Sequence, residues 1–171
     1  MMIKINNFSV ILAAASIFAL QSCGTSPKDS LAYHDKMMAL VNKVIYKHNS
    51  FQLVSNAALG NVDRYQEMSK ATEDSIKYYI AALDKVKPVD DSANHLKTTM
   101  LQTANAYLNV YTDCVQKEIN IAKSSKAPAD QQQMEVTQNY ILCNEKIKTS
   151  EEALRKARDR YAATHGFKIF L

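Results

Sequence analysis

Apolar residues recur three and four positions apart through most of the chain beyond residue 29, the spacing that lines one face of an α-helix. The few helix breakers cut this pattern into four comparable stretches. The first runs from about Asp29 to Ala58 and stops at Leu59-Gly60-Asn61. The second runs from about Val62 to Val86, ahead of Pro88, and the third from about Asp90 to Ser124. The fourth starts at Pro128, a residue favoured in a first helical turn, and ends near His165. Asp90, Asp91 and Ser92 offer capping oxygens to the third helix. Gly166 suits a left-handed cap, with Phe167 placed to fold back on the last turn.

Each stretch carries its own inward stripe. The first reads Met37, Val41, Val44, His48, Phe51, Ser55 and Ala58, flanked by Met38, Ile45 and Leu59, and the second Tyr65, Met68, Thr72, Ile76, Tyr79, Leu83 and Val86. The third reads Leu96, Met100, Thr103, Tyr107, Val110 and Cys114, widened by Ala104, Leu108, Tyr111 and Val115. The fourth reads Val136, Tyr140, Cys143, Ile147, Leu154, Ala157 and Tyr161. These stripes are too broad for a two-stranded coiled coil and suit a globular bundle. Short connections make neighbouring helices antiparallel. The expected fold is all-α, an up-down-up-down four-helix bundle over residues 29–171, with the apolar tail Phe167 to Leu171 packed over one end. No strand pattern is visible.

A different pattern precedes the bundle. Lys4 gives a positive start, and Val10 to Leu20 is an unbroken run of apolar and small residues. A membrane-spanning helix needs roughly 20 apolar residues, so the run is too short to stay in a bilayer and reads as a cleaved secretory signal. It ends at Leu20-Gln21-Ser22-Cys23, which resembles the lipobox of bacterial lipoprotein precursors. With the tyrosine-rich helices and sparse Gly and Pro across 29–165, the chain resembles small helical-bundle surface lipoproteins of Gram-negative bacteria. The resemblance implies cleavage after residue 22, lipid attachment to the Cys23 thiol and a membrane anchor outside the cytoplasm. Two or more acyl chains hold a protein firmly on a bilayer where one does not. Residues 23–28 then form a short lipidated tether. Gly24 is not the aspartate that commonly retains such proteins at the inner membrane, so the outer membrane is the expected location.

Composition fits this picture. Removing residues 1–22 from 171 leaves 149, enough for one domain with a real core. Only three Gly and three Pro occur in the whole chain, as long helices require. The chain has 21 Lys and Arg against 17 Asp and Glu, with both signs interspersed, so no nucleic-acid-binding stripe is present.

Little in the sequence carries chemistry. The Glu-x-x-His pairs of di-iron bundles are absent. So are Cys-x-x-Cys pairs, Gly-rich phosphate loops and the Gly-x-Ser-x-Gly of hydrolases. No metal site, cofactor or catalytic group is assigned. Cys114 and Cys143 lie on facing stripes of the third and fourth helices. Their distances from the intervening turn put them within roughly 7 Å of the same height. They are either a disulfide, worth roughly 3 kcal/mol in the chain-entropy account, or two packed thiols. Counting along the hairpins puts His48, Thr72 and Tyr107 in one polar layer, either a hydrogen-bonded core feature or a ligand pocket. His95 and His165 read as surface residues at helix ends. Tyr33, Tyr46 and Tyr78 fall outside or beside the stripes and are expected toward solvent. The function this supports is a non-enzymatic binding or scaffolding lipoprotein, with an envelope protein or polymer as partner. A small-ligand-carrying bundle using His48 and Tyr107 is the alternative.

Overall fold

A computed structural model describes residues 25–58, 61–124, 126 and 128–169. The segment Leu20 to Cys23, expected to be a lipobox, lies outside the described residues, as do Phe170 and Leu171. Helix α1 spans Pro27–Ala58 and α2 spans Val62–Asp84. The third rod is α3 (Asp91–Asn109), a π-helical turn (Val110–Val115) and α4 (Gln116–Ser124) in direct succession. Helix α5 spans Ala129–His165. Among the described residues the fold is all-helical, with no strand. None of these helices is long and apolar enough to cross a membrane.

The helix ends follow local chemistry. Asn61 Oδ1 accepts the Arg64 amide at 3.0 Å, and Asp90 Oδ1 accepts the Ala93 amide at 2.8 Å. Each satisfies an amide that a first helical turn leaves unbonded. Helix α1 begins two residues before Asp29, with Pro27 in its first turn and the Ser26 hydroxyl accepting the Asp29 amide at 3.1 Å. Gly166 sits at φ 70°. That left-handed bend lets the Phe167 amide reach the Ala162 carbonyl at 3.1 Å and sets the Phe167 ring against His34 and Tyr161.

The third rod is central and touches each of the other three helices, whereas α2 and α5 make no backbone contact. Lys97 pairs with Asp84, and Lys123 with Asp63. The Thr103 hydroxyl donates to the Ser150 carbonyl at 3.1 Å. Met37, Val41, Ile76, Leu83, Leu96, Met100, Tyr111 and Tyr161 are fully buried between the helices. Each large side chain removed from water contributes about 1.5–3 kcal/mol.

One end of the molecule is closed by a polar cluster. Ser30 Oγ lies 3.0 Å from His165 Nδ1, and Ser92 Oγ lies 2.7 Å from His165 Nε2. Asp90 accepts hydrogen bonds from Ser92 and Thr25. Two expectations change here. His165 is not a surface residue, because its ring joins the start of α1, the start of α3 and the end of α5; its side chain keeps only 10% exposure. Tyr33 is buried, and its hydroxyl donates to the Ala93 carbonyl at 3.1 Å. Tyr46 and Tyr78 are exposed.

Candidate functional site

The third rod was expected as one α-helix from Asp90 to Ser124, but the π turn at Val110–Val115 interrupts it. The buried residues of this rod show why. Tyr107, Tyr111, Val115 and Ile119 are all buried and follow at steps of four. In an α-helix each step of four drifts about 40° from the inward direction, so three such steps would carry Ile119 off the core face. A π turn holds one extra residue and absorbs most of that drift. Tyr111 therefore takes the fully buried place expected for Val110, which is only half-buried.

Tyr111 meets His48 on α1. Its hydroxyl lies 3.1 Å from His48 Nδ1, and the two rings stand edge to face at 5.9 Å. Burial holds the His48 imidazole neutral, lowering its pKa to about 4, and pushes the Tyr111 phenol up. The pair thus holds with Tyr111 donating to an unprotonated Nδ1. Tyr107 also touches the imidazole, ring to ring at 5.0 Å, but its hydroxyl bonds to Glu151 on α5. Thr72 is placed differently: it is half-buried on α2, and its hydroxyl donates to the Met68 carbonyl of its own helix at 2.9 Å. The structure brings His48 and Tyr107 together, with Tyr111 rather than Thr72 as the polar partner.

Seven residues beyond Tyr111 on the third rod is a second polar group. The Tyr65 hydroxyl, on α2, donates to Glu118 Oε2, on α4, at 2.8 Å. Among the described residues no cation lies within ion-pair distance of Glu118. Burial raises the Glu118 pKa, opposed by hydrogen bonds from Tyr65 and Asn139. The Tyr65 phenol is pushed up, first by burial and then by the neighbouring carboxylate.

Asn139 also ties α5 to the π turn, its amide donating to the Cys114 carbonyl at 2.9 Å. It occupies the buried place expected for Tyr140, which is 52% exposed. Cys114 and Cys143 are joined as a disulfide, their Cα atoms 6.6 Å apart, within the span such a bridge tolerates.

Two cavities flank Glu118. The inner one, of about 50 Å³, lies between His48, Phe51, Tyr65, Glu118 and the disulfide; neither Thr72 nor Tyr107 lines it. The outer one, of about 280 Å³, opens in the gap between α2 and α5, with Tyr65 and Glu118 again in its wall. Sequence reasoning missed Glu118 and Asn139 as site residues. Helical spacing allows both without singling them out: Glu118 is four beyond Cys114, and Asn139 is four before Cys143. Among the described residues no cluster of three or more His, Cys, Asp or Glu side chains is arranged to hold a metal ion.

No protein-family model, curated protein or solved structure matches the chain.

Proposed function

We propose that this chain is an envelope lipoprotein, cut before Cys23, tethered by lipid on that residue and built to bind rather than to catalyse. Its described part is taken as an up-down-up-down four-helix bundle. Contacts between helix ends support that order: Lys97 with Asp84 and Lys123 with Asp63 run α2 against the third rod, and Cys114 with Cys143 and Thr103 with Ser150 run that rod against α5. The partner is an envelope protein or polymer, and the membrane is the outer one.

The observation that carries the reading is the lipobox Leu20-Gln21-Ser22-Cys23 with the first described residues just behind it. Thr25 bonds to Asp90 at the closed end, whereas Glu118 and its cavities lie toward the other. Along α1, Pro27 to Phe51 is 24 residues, a rise of about 36 Å. The anchor and the cavities therefore belong to opposite ends of the molecule. Exposed Tyr140, Ile141 and Leu142 on α5, with Leu53 and Val54 on α1, give the cavity-bearing end the apolar surface that interfaces use.

Mass spectrometry of the protein from its own membranes tests this. The mature amino terminus is expected at Cys23 with acyl chains attached, and the Cys23→Ala form is expected in the soluble fraction. A mature chain starting elsewhere with an unmodified thiol overturns the anchor. Chemical crosslinking in intact cells is expected to join the anchored form to a defined envelope component.

The second reading, a ligand carried in the His48 layer, gains no support from the space there. Phe51, Tyr107 and Tyr111 rings fill it, and the adjoining cavity of about 50 Å³ holds little more than one water molecule.

A further inference from the structure

The outer cavity differs from the packed layer in size and in chemistry. Val62 from α2, Ile119 and Ala122 from α4 and Val136 from α5 make three of its sides apolar, and Gln133 is its other polar contributor. At about 280 Å³ it lies at the lower edge of the range for small-molecule sites. Glu118 is the one acidic group in its wall. Lys123, five residues further along α4, is engaged elsewhere, pairing with Asp63 at 2.9 Å and donating to Gln66 at 2.6 Å. A half-buried carboxylate with no cation against it is costly to keep ionised, and a cation seated there would offset that cost. Tyr65 fixes the carboxylate by donating to Oε2, and Asn139 adds a second hydrogen bond. An ionised carboxylate offers about four acceptor sites over its two oxygens, so capacity remains for a ligand beside these two donors.

We propose that this cleft binds a small amphipathic organic cation, an ammonium group on a compact apolar body, with Glu118 taking the charge. The ammonium group bonds the carboxylate beside Tyr65. The apolar body lies between Ile119 and Val136 and displaces water from the gap that α2 and α5 leave open. Selectivity comes from the charge, because an anion of the same shape would meet the Glu118 carboxylate and an alcohol would leave it unpaired. The site does not depend on lipid at Cys23, so its failure would leave the anchoring proposal standing.

Isothermal titration of the full mature protein in nonionic detergent with 2-phenylethylammonium tests it, with 2-phenylethanol and 3-phenylpropionate as matched controls. Saturable binding of one equivalent of the amine is expected, at least tenfold tighter than either control. Glu118→Gln, which keeps an acceptor for Tyr65, is expected to lose at least tenfold in affinity. Ala122→Trp, at an exposed position on the cleft wall, is expected to block the site with Glu118 intact. Both variants are checked for an unchanged helical circular dichroism spectrum. Should Glu118→Gln fail to fold, Ala122→Trp decides alone. Binding that the carboxylate analogue equals, that both folded variants retain, or that never saturates overturns the proposal.

Discussion

His48 is held as a neutral base inside the bundle, and that makes it a reporter of folding. Its pKa falls from 6.5 to about 4 because burial disfavours the imidazolium. In the unfolded chain it would protonate near its ordinary value. Between pH 6.5 and 4 the unfolded state therefore binds the extra proton, and stability is lost as pH falls through that window. The shift corresponds to about 3 kcal/mol at its full extent. Glu118 acts in the opposite sense, since its raised pKa lets the folded state take up a proton first. Asp90 is depressed below its ordinary 3.8, so its contribution is lost only under more acid conditions. The difference between two proteins isolates the imidazole. Urea unfolding of the native chain and of His48→Gln, each followed from pH 7 to 4, is expected to converge by about 2–3 kcal/mol toward pH 4. Parallel curves would show that the folded imidazole takes up its proton at the same pH as the unfolded one.

At the level of the helix, the π turn is the feature that sequence rules most nearly showed and still missed. Helix limits were legible because breakers and caps act locally: Asn61, Asp90 and Gly166 each form the end that their chemistry favours. The inward face was legible where large apolar residues fixed it, as at Met37, Val41 and Leu96. It failed where two readings of a stripe were equally regular. Val136 leads to Cys143 through either Asn139 or Tyr140, and apolar preference chooses the tyrosine. The fold buries the asparagine because its amide has the Cys114 carbonyl to bond, a partner on another helix that no local rule reveals. Thr72 was placed by counting along hairpins, which gives height but not direction. The steps of four from Tyr107 to Ile119 carry their own prediction. Deleting Thr112, an exposed residue inside the turn, would change the spacing to one that a continuous α-helix satisfies. The deletion variant is expected to fold with stability within about 1–2 kcal/mol of the parent. Backbone amides of this segment are expected to exchange more slowly, as read by hydrogen-exchange NMR. A loss beyond that range would mean that the turn is required for packing and does not merely absorb register.

The molecule as a whole has two unlike ends, and the difference bears on how it would work on a membrane. At the closed end, the Ser30, Asp90, Ser92 and His165 cluster and the folded-back Phe167 join three helix termini. At the other, the α5 backbone stays clear of α2, and its first half rests on few buried residues. Asn139 and Cys143 are buried there, whereas Met134, Tyr140, Ile141 and Leu142 are more than half exposed. Local opening costs least where few apolar contacts are lost. Amides from about 130 to 138 are therefore expected to exchange well before those from 150 to 162. Reducing the Cys114–Cys143 bridge removes a link holding this half of α5 to the third rod, and is expected to speed exchange in residues 130–143 more than elsewhere. A bound organic cation, lodged against Val136, is expected to slow the same segment and leave the closed end unchanged. Hydrogen-exchange mass spectrometry of the mature protein reads all three outcomes in one set of peptides. Uniform exchange along α5 would contradict the division into a fixed, closed end and a yielding end. If the segment instead yields and then tightens on ligand, binding in the cleft is coupled to ordering of α5, and the apolar face that α5 presents to a partner would change with cleft occupancy.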